Sequence, residues 1–258
     1  MIIRKSPAEL QKIRAACQII GELLDELTAR IVPGISTWDL DAFAHTFILD
    51  RGAQPAFKGY TVPGLGPFPG TLCTSPNSGI VHGIPSHQVI LKEGDIIGID
   101  VGVIKDGFYG DAARTYAVGE ISAEARRLME VTSEALRRGI EASRAGNRVG
   151  DISHAIGSYV KEQGYYVADS LTGHGVGRQL HEEPQIPNTG IPGRGLRLQS
   201  GMTLAVEPMV NIGTNRVREK GWEFFSADGS LSAHFEHSIL VRDGQPEILT
   251  QASRSINE

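Results

Sequence analysis

Residues 34–52 read GISTWDLDAFAHTFILDRG, and residues 146–164, which lie 112 positions later, read GNRVGDISHAIGSYVKEQG. The two segments share a glycine at each end, an aspartate at the sixth position and apolar residues at helical spacing. This repeat indicates a chain of two similar halves, each of which carries the same helix. The matched pairs are Gly34 with Gly146, Asp39 with Asp151, Leu40 with Ile152, Phe47 with Tyr159, Ile48 with Val160, and Gly52 with Gly164.

The elements around the two copies repeat as well. One long helix is predicted from the capping box Ser6-Pro7-Ala8-Glu9 to the stop at Val32-Pro33-Gly34, and a second covers about 123–143. This order predicts an α+β fold in which strands of both halves join in one sheet, with helices on its outer face. We expect a single domain over residues 1–258, with halves of roughly 1–120 and 121–258. The predicted strands are Asp95–Val103, Phe108–Val118, Thr203–Val210 and Ser230–Val241.

Composition excludes several classes of protein. The formal net charge is −5 and no basic stripe occurs, so nucleic acid is not an expected partner. No run of about 18 apolar residues could cross a membrane, and the N-terminal sequence MIIRKSPAEL lacks the apolar stretch of a signal peptide. The two cysteines, Cys17 and Cys73, are too few to stabilise a chain of 258 residues by disulfides. We therefore expect a cytoplasmic protein.

Asp100 and Asp111 lie on two alternating strands that are joined by Lys105-Asp106-Gly107, a strong hairpin signal. A loop at 105–106 sets Asp100 opposite Asp111, whereas a loop at 106–107 sets Asp111 opposite Gly102. Because side chains alternate with a period of two, both registers place the two carboxylates on one face. Two acids in so apolar a strand pair either form a solvent-facing side of the sheet or hold a cation between them.

Three further residues extend this pattern. Glu207 and Glu236 are again acids within apolar segments, and His174 lies in the glycine-rich stretch Thr172–Gly177. Prolines follow that stretch where a nucleotide-binding motif requires a helix, which makes a nucleotide site a weak hypothesis. Each acid alone is more often a partnered structural carboxylate. Four carboxylates with one histidine, however, suit a pair of divalent cations that hold a water for attack on a carbonyl or phosphoryl centre.

The chain closely resembles the methionine aminopeptidases, in the family that also contains prolidases, aminopeptidase P and creatinase. The resemblance covers nearly the whole chain in the correct order and spacing, and it implies the pita-bread fold, in which helices cover a curved antiparallel sheet. The matching motifs are Val81-His82-Gly83-Ile84-Pro85, Ile99-Asp100-Val101-Gly102, Gly110-Asp111, Gly173-His174-Gly175-Val176-Gly177, His181-Glu182-Glu183-Pro184, Val206-Glu207-Pro208-Met209 and Phe235-Glu236-His237.

Carried over by position, the resemblance implies a site with two divalent cations, drawn from Co, Mn, Fe, Zn and Ni. It implies that Asp100 binds one ion, that His174 and Glu207 bind the other, and that Asp111 and Glu236 bridge both. Glu207 is expected to move the proton, and His82 and His181 to contact substrate. We expect His45, His87 and His154 to lie outside the site, and the sequence leaves His234 undecided.

A pocket for the methionine side chain is also implied. Two features depart from the family pattern: the stretch Thr61–Gly70 is longer than the usual loop, and Leu180 stands where the bacterial type 1 pattern has phenylalanine. Both should border the pocket, so its shape is expected to differ while the metal chemistry is retained. The expected pocket residues are Tyr60, Phe68, Cys73, His82, Leu180 and Trp222.

The function implied is removal of the N-terminal methionine from nascent proteins with a small second residue. Such an enzyme would be a monomeric hydrolase of the bacterial type 1 form, working in the cytoplasm near the ribosome, with no role for nucleic acid or membrane. Two alternatives remain at this point. An X-Pro aminopeptidase or dipeptidase would use the same chemistry, and a non-catalytic binding relative would keep the fold without the metals.

Overall fold

The computed structural model describes residues 4–251. Its helices are α1 Pro7–Thr28, α2 Thr37–Asp50, α3 Ala123–Ala142 and α4 Val149–Glu162. The strands are β1 Gln54–Pro55, β2 Leu72–Pro76, β3 Gly79–Val81, β4 Ile96–Lys105, β5 Phe108–Ala117, β6 Tyr166–Val167, β7 Thr172–Gly175, β8 Glu182–Pro187, β9 Thr203–Val206, β10 Met209–Asn211, β11 Val217–Lys220, β12 Glu223–Ser226, β13 Ser232–His234, β14 His237–Leu240 and β15 Glu247–Ile248.

The repeated aspartates have the same task at the start of α2 and α4. The Asp39 carboxylate accepts the backbone N–H of Ser36 at 3.3 Å, and Asp151 accepts that of Arg148 at 2.7 Å. Each carboxylate thereby satisfies a backbone donor that has no partner within the helix, and its charge opposes the positive end of the helix dipole. The capping box at Ser6 and Glu9 is formed as predicted. No helix within residues 4–251 is long and apolar enough to span a membrane.

Each half has its own apolar core. In the first half, α1 packs on β4 and β5, and α2 packs on α1, β1 and β2. In the second half, α3 and α4 pack on each other, with α3 against β9, β10 and β13 and α4 against β6 and β8. A close approach of α1 to β5 requires Gly110, because a Cβ there would lie 2.7 Å from the Sγ atom of buried Cys17. Helices therefore cover one side of the strand layer, as the repeat predicts.

The hairpin β4–β5 uses the loop Asp106–Gly107, so Lys105 pairs with Phe108 and Asp111 lies opposite Gly102. The alternative loop at 105–106 is wrong. Both loop residues have positive φ, 49° for Asp106 and 78° for Gly107, which is the conformation that an Asp-Gly turn favours between twisted strands. Asp100 and Asp111 consequently project from the same face of the hairpin.

The strands of the two halves meet at β5. The Ala113 carbonyl accepts the backbone N–H of Glu236 at 2.9 Å. The Thr115 hydroxyl donates to the His234 carbonyl and accepts the His234 N–H, both at 2.9 Å, and Ser238 makes the matching pair of bonds with the backbone of Asp111. Backbone pairing alone divides the strands into four antiparallel sheets within residues 4–251. These side-chain bridges join the β4–β5 sheet to β13 and β14 across the boundary between the halves.

Two predicted strands are interrupted, each at a glutamate. Thr203–Val210 divides into β9 and β10 around Glu207-Pro208, and Ser230–Val241 divides into β13 and β14 around Phe235-Glu236. Proline has no N–H for the ladder, which explains the first break. β9 pairs with β14, and β10 pairs with β13. Both segments of the chain therefore leave one sheet and enter another at the same level. Glu207 and Glu236 therefore lie side by side, free of the regular ladder.

Asp41 connects α2 to the start of β2, the strand that carries Cys73. Its buried carboxylate accepts the backbone N–H groups of Thr71 at 2.7 Å and Leu72 at 2.8 Å. Asp41→Ala leaves two buried donors without an acceptor, and we expect the free energy of unfolding to fall by about 2–3 kcal/mol. Urea unfolding at constant m-value measures the change.

Two controls accompany this measurement. Asp41→Asn keeps one carbonyl oxygen in place, so its free energy of unfolding should fall by less than that of Asp41→Ala. Asp50→Ala, at an exposed position of the same helix, should stay within about 0.5 kcal/mol. A loss for Asp41→Ala no greater than that of Asp50→Ala would contradict the role assigned to Asp41.

Candidate functional site

All five expected metal ligands line one cavity of about 800 Å³, together with His82 and His181. Both halves contribute to it: Asp100 comes from β4 and Asp111 from β5, while His174 comes from β7. Glu207 and Glu236 enter from the two strand breaks. His45, His87 and His154 lie elsewhere, as expected. The topology thus brings together residues that are up to 136 positions apart, from Asp100 to Glu236.

Asp111 and Glu236 are buried, whereas Asp100 and Glu207 are half-buried. Asp111 is 3% exposed and Glu236 2%, and the side chain of Glu207 is 12% exposed. Within residues 4–251, one oxygen on each of Asp100, Asp111 and Glu236 is buried without a hydrogen-bond partner. A buried, unsatisfied carboxylate oxygen is strongly unfavourable unless a cation or a proton neutralises it. These orphaned oxygens are therefore available as ligand atoms.

Burial dominates the acid–base behaviour of these groups. It raises the pKa of Asp100 to about 7 and that of Glu207 to about 8. The pKa of Asp111 and that of Glu236 lie well above their ordinary values, because burial and the neighbouring carboxylates both disfavour ionisation. Without a cation, the cluster retains protons at neutral pH.

His174 presents one ring nitrogen to the acids. Its Nδ1 donates to the Gly175 carbonyl at 2.9 Å, which fixes the tautomer and leaves Nε2 with a free lone pair. Nε2 lies 3.4 Å from Glu207 Oε1 and 3.8 Å from Asp111 Oδ2. Burial lowers the pKa of His174 to about 3, so the ring is neutral and suited to bind a metal.

His234 lies on the opposite side of Glu207. Its Nε2 is buried, 3.5 Å from Glu207 Oε2 and 4.0 Å from Glu236 Oε2, with no hydrogen-bond partner among residues 4–251. The sequence left this histidine undecided. The signal that could have identified it is the alternation of strand residues, which places His234 on the face of Glu236.

The potential ligand atoms form two overlapping groups. Those of Asp111, His174 and Glu236 lie within 4.8 Å of one another, and so do those of Glu207, His234 and Glu236. Hard carboxylate oxygens with imidazole nitrogen suit divalent ions from manganese to zinc. The orphaned oxygens, the neutral His174 and the two groups sharing Glu236 all fit the binding of divalent cations.

The expected pocket residues surround the other end of the cavity. Buried Phe57, Phe68, Cys73 and Leu180 form an apolar cluster, against which Tyr60 and Trp222 pack. The long loop Thr61–Gly70 is held across the cavity by the Trp222 indole N–H, which donates to the Gly66 carbonyl at 3.1 Å. Trp222 also packs edge-on against the Phe68 ring, with centroids 5.4 Å apart. The loop therefore forms one wall of the pocket.

His181 and His82 lie between the acids and this apolar end. The His181 ring packs edge-on against the His174 ring at 4.5 Å, and its Nδ1 lies 3.0 Å from the Tyr60 hydroxyl. His82 has the left-handed backbone conformation, with φ of 58°, and burial lowers its pKa to about 4. Both imidazoles are thus held close to the acids without any carboxylate partner in the described contacts.

Comparison with known proteins gives consistent matches. The model of metallopeptidase family M24 matches residues 11–243. The methionine aminopeptidase of Clostridium acetobutylicum is 48% identical over 252 residues, which cover 97% of this chain and 99% of that protein. Methionine aminopeptidase 1 of Bacillus subtilis is 46% identical, covering 97% of this chain and all of that protein.

Solved structures of known proteins also match this chain in fold. The methionine aminopeptidase of Thermotoga maritima superposes with a TM-score of 0.94 at 44% identity, covering 97% of this chain and all of that chain. The prolidase of Pyrococcus furiosus superposes at 0.77 with 25% identity, and the match covers 98% of this chain but 66% of the prolidase. These neighbours confirm the pita-bread fold that the sequence resemblance implied.

The raised carboxylate pKa values predict how the metal-free protein responds to pH. In the unfolded chain these acids ionise near pH 4, so above that pH only the folded chain holds their protons. Stability is then lost as pH rises through the folded pKa values, about 7 for Asp100 and about 8 for Glu207. The buried histidines, whose pKa values are lowered, reduce the stability of the folded protein only below about pH 6.5.

We therefore expect the metal-free protein to be less stable at pH 8 than at pH 6.5. Each proton retained only in the folded state accounts for ~1.4 kcal/mol per pH unit, so the melting temperature should fall by several degrees. Saturating Mn²⁺ or Co²⁺ should abolish this slope, because the ions neutralise the ionised acids. Calorimetry with and without chelator tests it, and a melting temperature that rises from pH 6.5 to 8 without metal would refute it.

Proposed function

The chain belongs to metallopeptidase family M24, and from that membership we propose that it is a methionine aminopeptidase, a hydrolase that removes methionine from the N-terminus of polypeptides. The observation that carries this proposal is one cavity with two unlike ends. Four carboxylates, two buried and two half-buried, converge with His174 at one end, and an apolar pocket closes the other. This arrangement suits a substrate whose first side chain is apolar and whose first peptide bond meets the acids.

We propose that two divalent cations occupy the acidic end, drawn from Co, Mn, Fe, Zn and Ni. Asp100 would bind one ion, and His174 with Glu207 the other. Asp111 and Glu236 would bridge both, which agrees with the position of Glu236 in both groups of potential ligand atoms. When bound, such ions polarise a carbonyl and lower the pKa of a water molecule so that it can attack at neutral pH.

The protein's own side chains then have distinct roles. Glu207 is the proposed proton carrier, since a carboxylate at the acidic end of the cavity can accept a proton from the attacking water and release it to the leaving amine. His181 is proposed to stabilise the negative charge that develops on the carbonyl oxygen, with its ring fixed by Tyr60. His82, held neutral by burial, is proposed to assist the nitrogen on the leaving side.

The apolar end selects the first residue. Tyr60, Phe68, Cys73, Leu180 and Trp222 enclose a slot that an unbranched thioether can enter without meeting an unsatisfied polar group. These five residues carry no charge to pair with a charged side chain, which would be desolvated against them without compensation. Methionine, whose side chain is an unbranched thioether without charge, suits this slot on both grounds.

The alternatives have less support. Relatives at 43–48% identity over nearly the full chain are methionine aminopeptidases, whereas the prolidase of Pyrococcus furiosus matches at 25%. All five expected ligands converge in one cavity, which argues against a non-catalytic relative. We further propose that the substrate is the N-terminus of new polypeptides near the ribosome. The protein is proposed to act as a cytoplasmic monomer without nucleic acid or membrane, in keeping with its net charge of −5.

A peptide panel run with each of the five metals tests the proposal. Met-Ala-Ser should release methionine, and Ala-Pro-Ala should remain intact. Asp111→Asn removes a negative charge that both ions would share, so bound metal should fall and turnover should drop by several orders of magnitude, on the order of 10³ or more. Cleavage of Ala-Pro-Ala alone would indicate an X-Pro peptidase. No cleavage and no bound metal would indicate a non-catalytic relative.

The pocket generates a separate prediction at Leu180. This side chain is 4% exposed and smaller and more flexible than phenylalanine, which leaves one wall of the pocket looser. A mismatch of about one methylene in an apolar pocket changes selectivity by ~1–3 kcal/mol. Leu180→Phe should therefore raise the ratio of kcat/KM for Met-Ala-Ser over Leu-Ala-Ser by about tenfold.

Leu49→Phe, at a position 49% exposed on α2, is the matched control and should leave this ratio unchanged. An unchanged ratio in Leu180→Phe as well would remove residue 180 from the selectivity pocket and direct attention to the loop Thr61–Gly70.

A further inference from the structure

A buried ion pair lies behind the segment that carries His181. Lys5 Nζ lies 2.5 Å from Glu182 Oε2, and the two side chains are 2% and 4% exposed. Lys5 comes from the residues before α1, whereas Glu182 is the neighbour of His181. The pair therefore joins two parts of the chain that are 177 positions apart. Neither residue is a proposed metal ligand or substrate-binding residue, although Glu182 also lines the cavity.

Glu182 uses its second oxygen to shape the segment 177–182, here named the His181 loop. Its Oε1 accepts the backbone N–H of Arg178 at 2.5 Å and that of Gln179 at 3.1 Å. One carboxylate thus binds the loop backbone with one oxygen and the Lys5 ammonium with the other. Removal of the ammonium would leave this carboxylate buried with its charge uncompensated, and the loop would have to move to let it reach water.

Lys5 is itself fixed from both ends. Its backbone N–H donates to the Gly201 carbonyl at 2.8 Å. Its aliphatic chain passes so close to the loop that a Cβ at Gly177 would lie 2.6 Å from the Lys5 Cε atom. The ammonium therefore reaches Glu182 along one fixed path, and the loop rests against the lysine stem. A burial this complete is unusual for lysine and requires the partner that Glu182 supplies.

We propose that the Lys5–Glu182 pair is a positioning device that holds His181 and Leu180 in place for the reaction. The inference rests on the proposed function only through the role of His181. That ring must keep its edge contact with His174 and its contact with Tyr60, and both depend on the backbone that Glu182 holds. A displacement of about 1 Å in such a group can lower the rate by ~10²-fold.

The same two chain segments share a second ion pair that serves as an internal control. Arg178 Nε lies 2.7 Å from Glu9 Oε1, but the arginine side chain is 50% exposed. Glu9→Gln removes that charge while retaining an oxygen that can accept the Ser6 N–H. Because an exposed pair contributes little, this variant should keep turnover within about twofold of the unmodified enzyme.

The test compares Lys5→Met with Lys5→Arg in the metal-loaded enzyme. Lys5→Met should lower kcat for Met-Ala-Ser by about tenfold or more with KM and bound metal nearly unchanged, and Lys5→Arg should restore part of the loss. In a His181→Ala background, Lys5→Met should reduce kcat by less than about twofold further, since both changes act through one group. A full, additive loss in that background would overturn the proposal.

A readout independent of activity completes the design. In the zinc-loaded protein, the NMR signal of the His181 ring, assigned with His181→Ala, should shift in Lys5→Met and stay in place in Glu9→Gln. If His181→Ala itself leaves kcat unchanged, the catalytic role proposed for His181 is wrong. The ring signal then decides the inference alone, and an unmoved signal overturns it.

Should Lys5→Met fail to fold, Lys5→Met with Glu182→Gln removes both charges and the burial penalty with them. This double variant is expected to fold with kcat still reduced. A double variant with unreduced kcat would overturn the proposal, because the pair would then affect stability alone.

Discussion

Four carboxylates that converge in one cavity, three of them with a buried oxygen that lacks a hydrogen-bond partner among residues 4–251, are the constraint on which the rest of the structure depends. Burial raises the pKa of each one, so the folded chain holds them only with protons or with cations. The structure around the acids reduces the electrostatic cost of placing them together. β4 and β5 supply two acids from a fixed face, the strand breaks supply two more without ladder hydrogen bonds to satisfy, and neutral His174 supplies a lone pair. The arrangement stores a strong preference for positive charge at one point, which is the property that a metal-dependent hydrolase requires.

The duplication explains how such a site can be assembled. Neither half alone supplies the set: the first provides Asp100 and Asp111, and the second provides His174, Glu207 and Glu236. At β5 the halves are joined by the backbone hydrogen bond from Glu236 to Ala113, and Thr115 and Ser238 add side-chain hydroxyl bridges on either side of it. These bridges flank Ala113 and Asp111, so the residues that join the halves also fix the acids. Stability at the boundary and geometry at the site are consequently set by the same few hydrogen bonds.

Local rules predicted the parts of the molecule that local chemistry controls. The capping box at Ser6 and Glu9, the helices and the shared face of Asp100 and Asp111 follow from residue type and period, and the common face holds in either hairpin register. The register itself depended on which two residues take positive φ, which sequence left open between 105–106 and 106–107. Strand alternation could place His234 on the face of Glu236, whereas the Lys5–Glu182 pair could not be found from sequence, because its significance lies in a contact between distant segments. A lysine five residues from the start of a chain carries no signal that it is buried against Glu182.

The two ends of the cavity are built from different kinds of structure, and this has a consequence for how the protein can change. The acids project from strands and strand junctions, where a shift of one would disturb the others. Apart from Cys73 on β2, the apolar end is formed mainly by loops: the segment Thr61–Gly70, the turn that carries Trp222, and the His181 loop. Loops accept insertions and substitutions at small cost in stability. The loop Thr61–Gly70 and Leu180, which were expected to depart from the family pattern, both lie at this end, whereas all five expected ligands lie at the other. Selectivity for the first residue can therefore vary among such chains while the chemistry at the acids stays fixed.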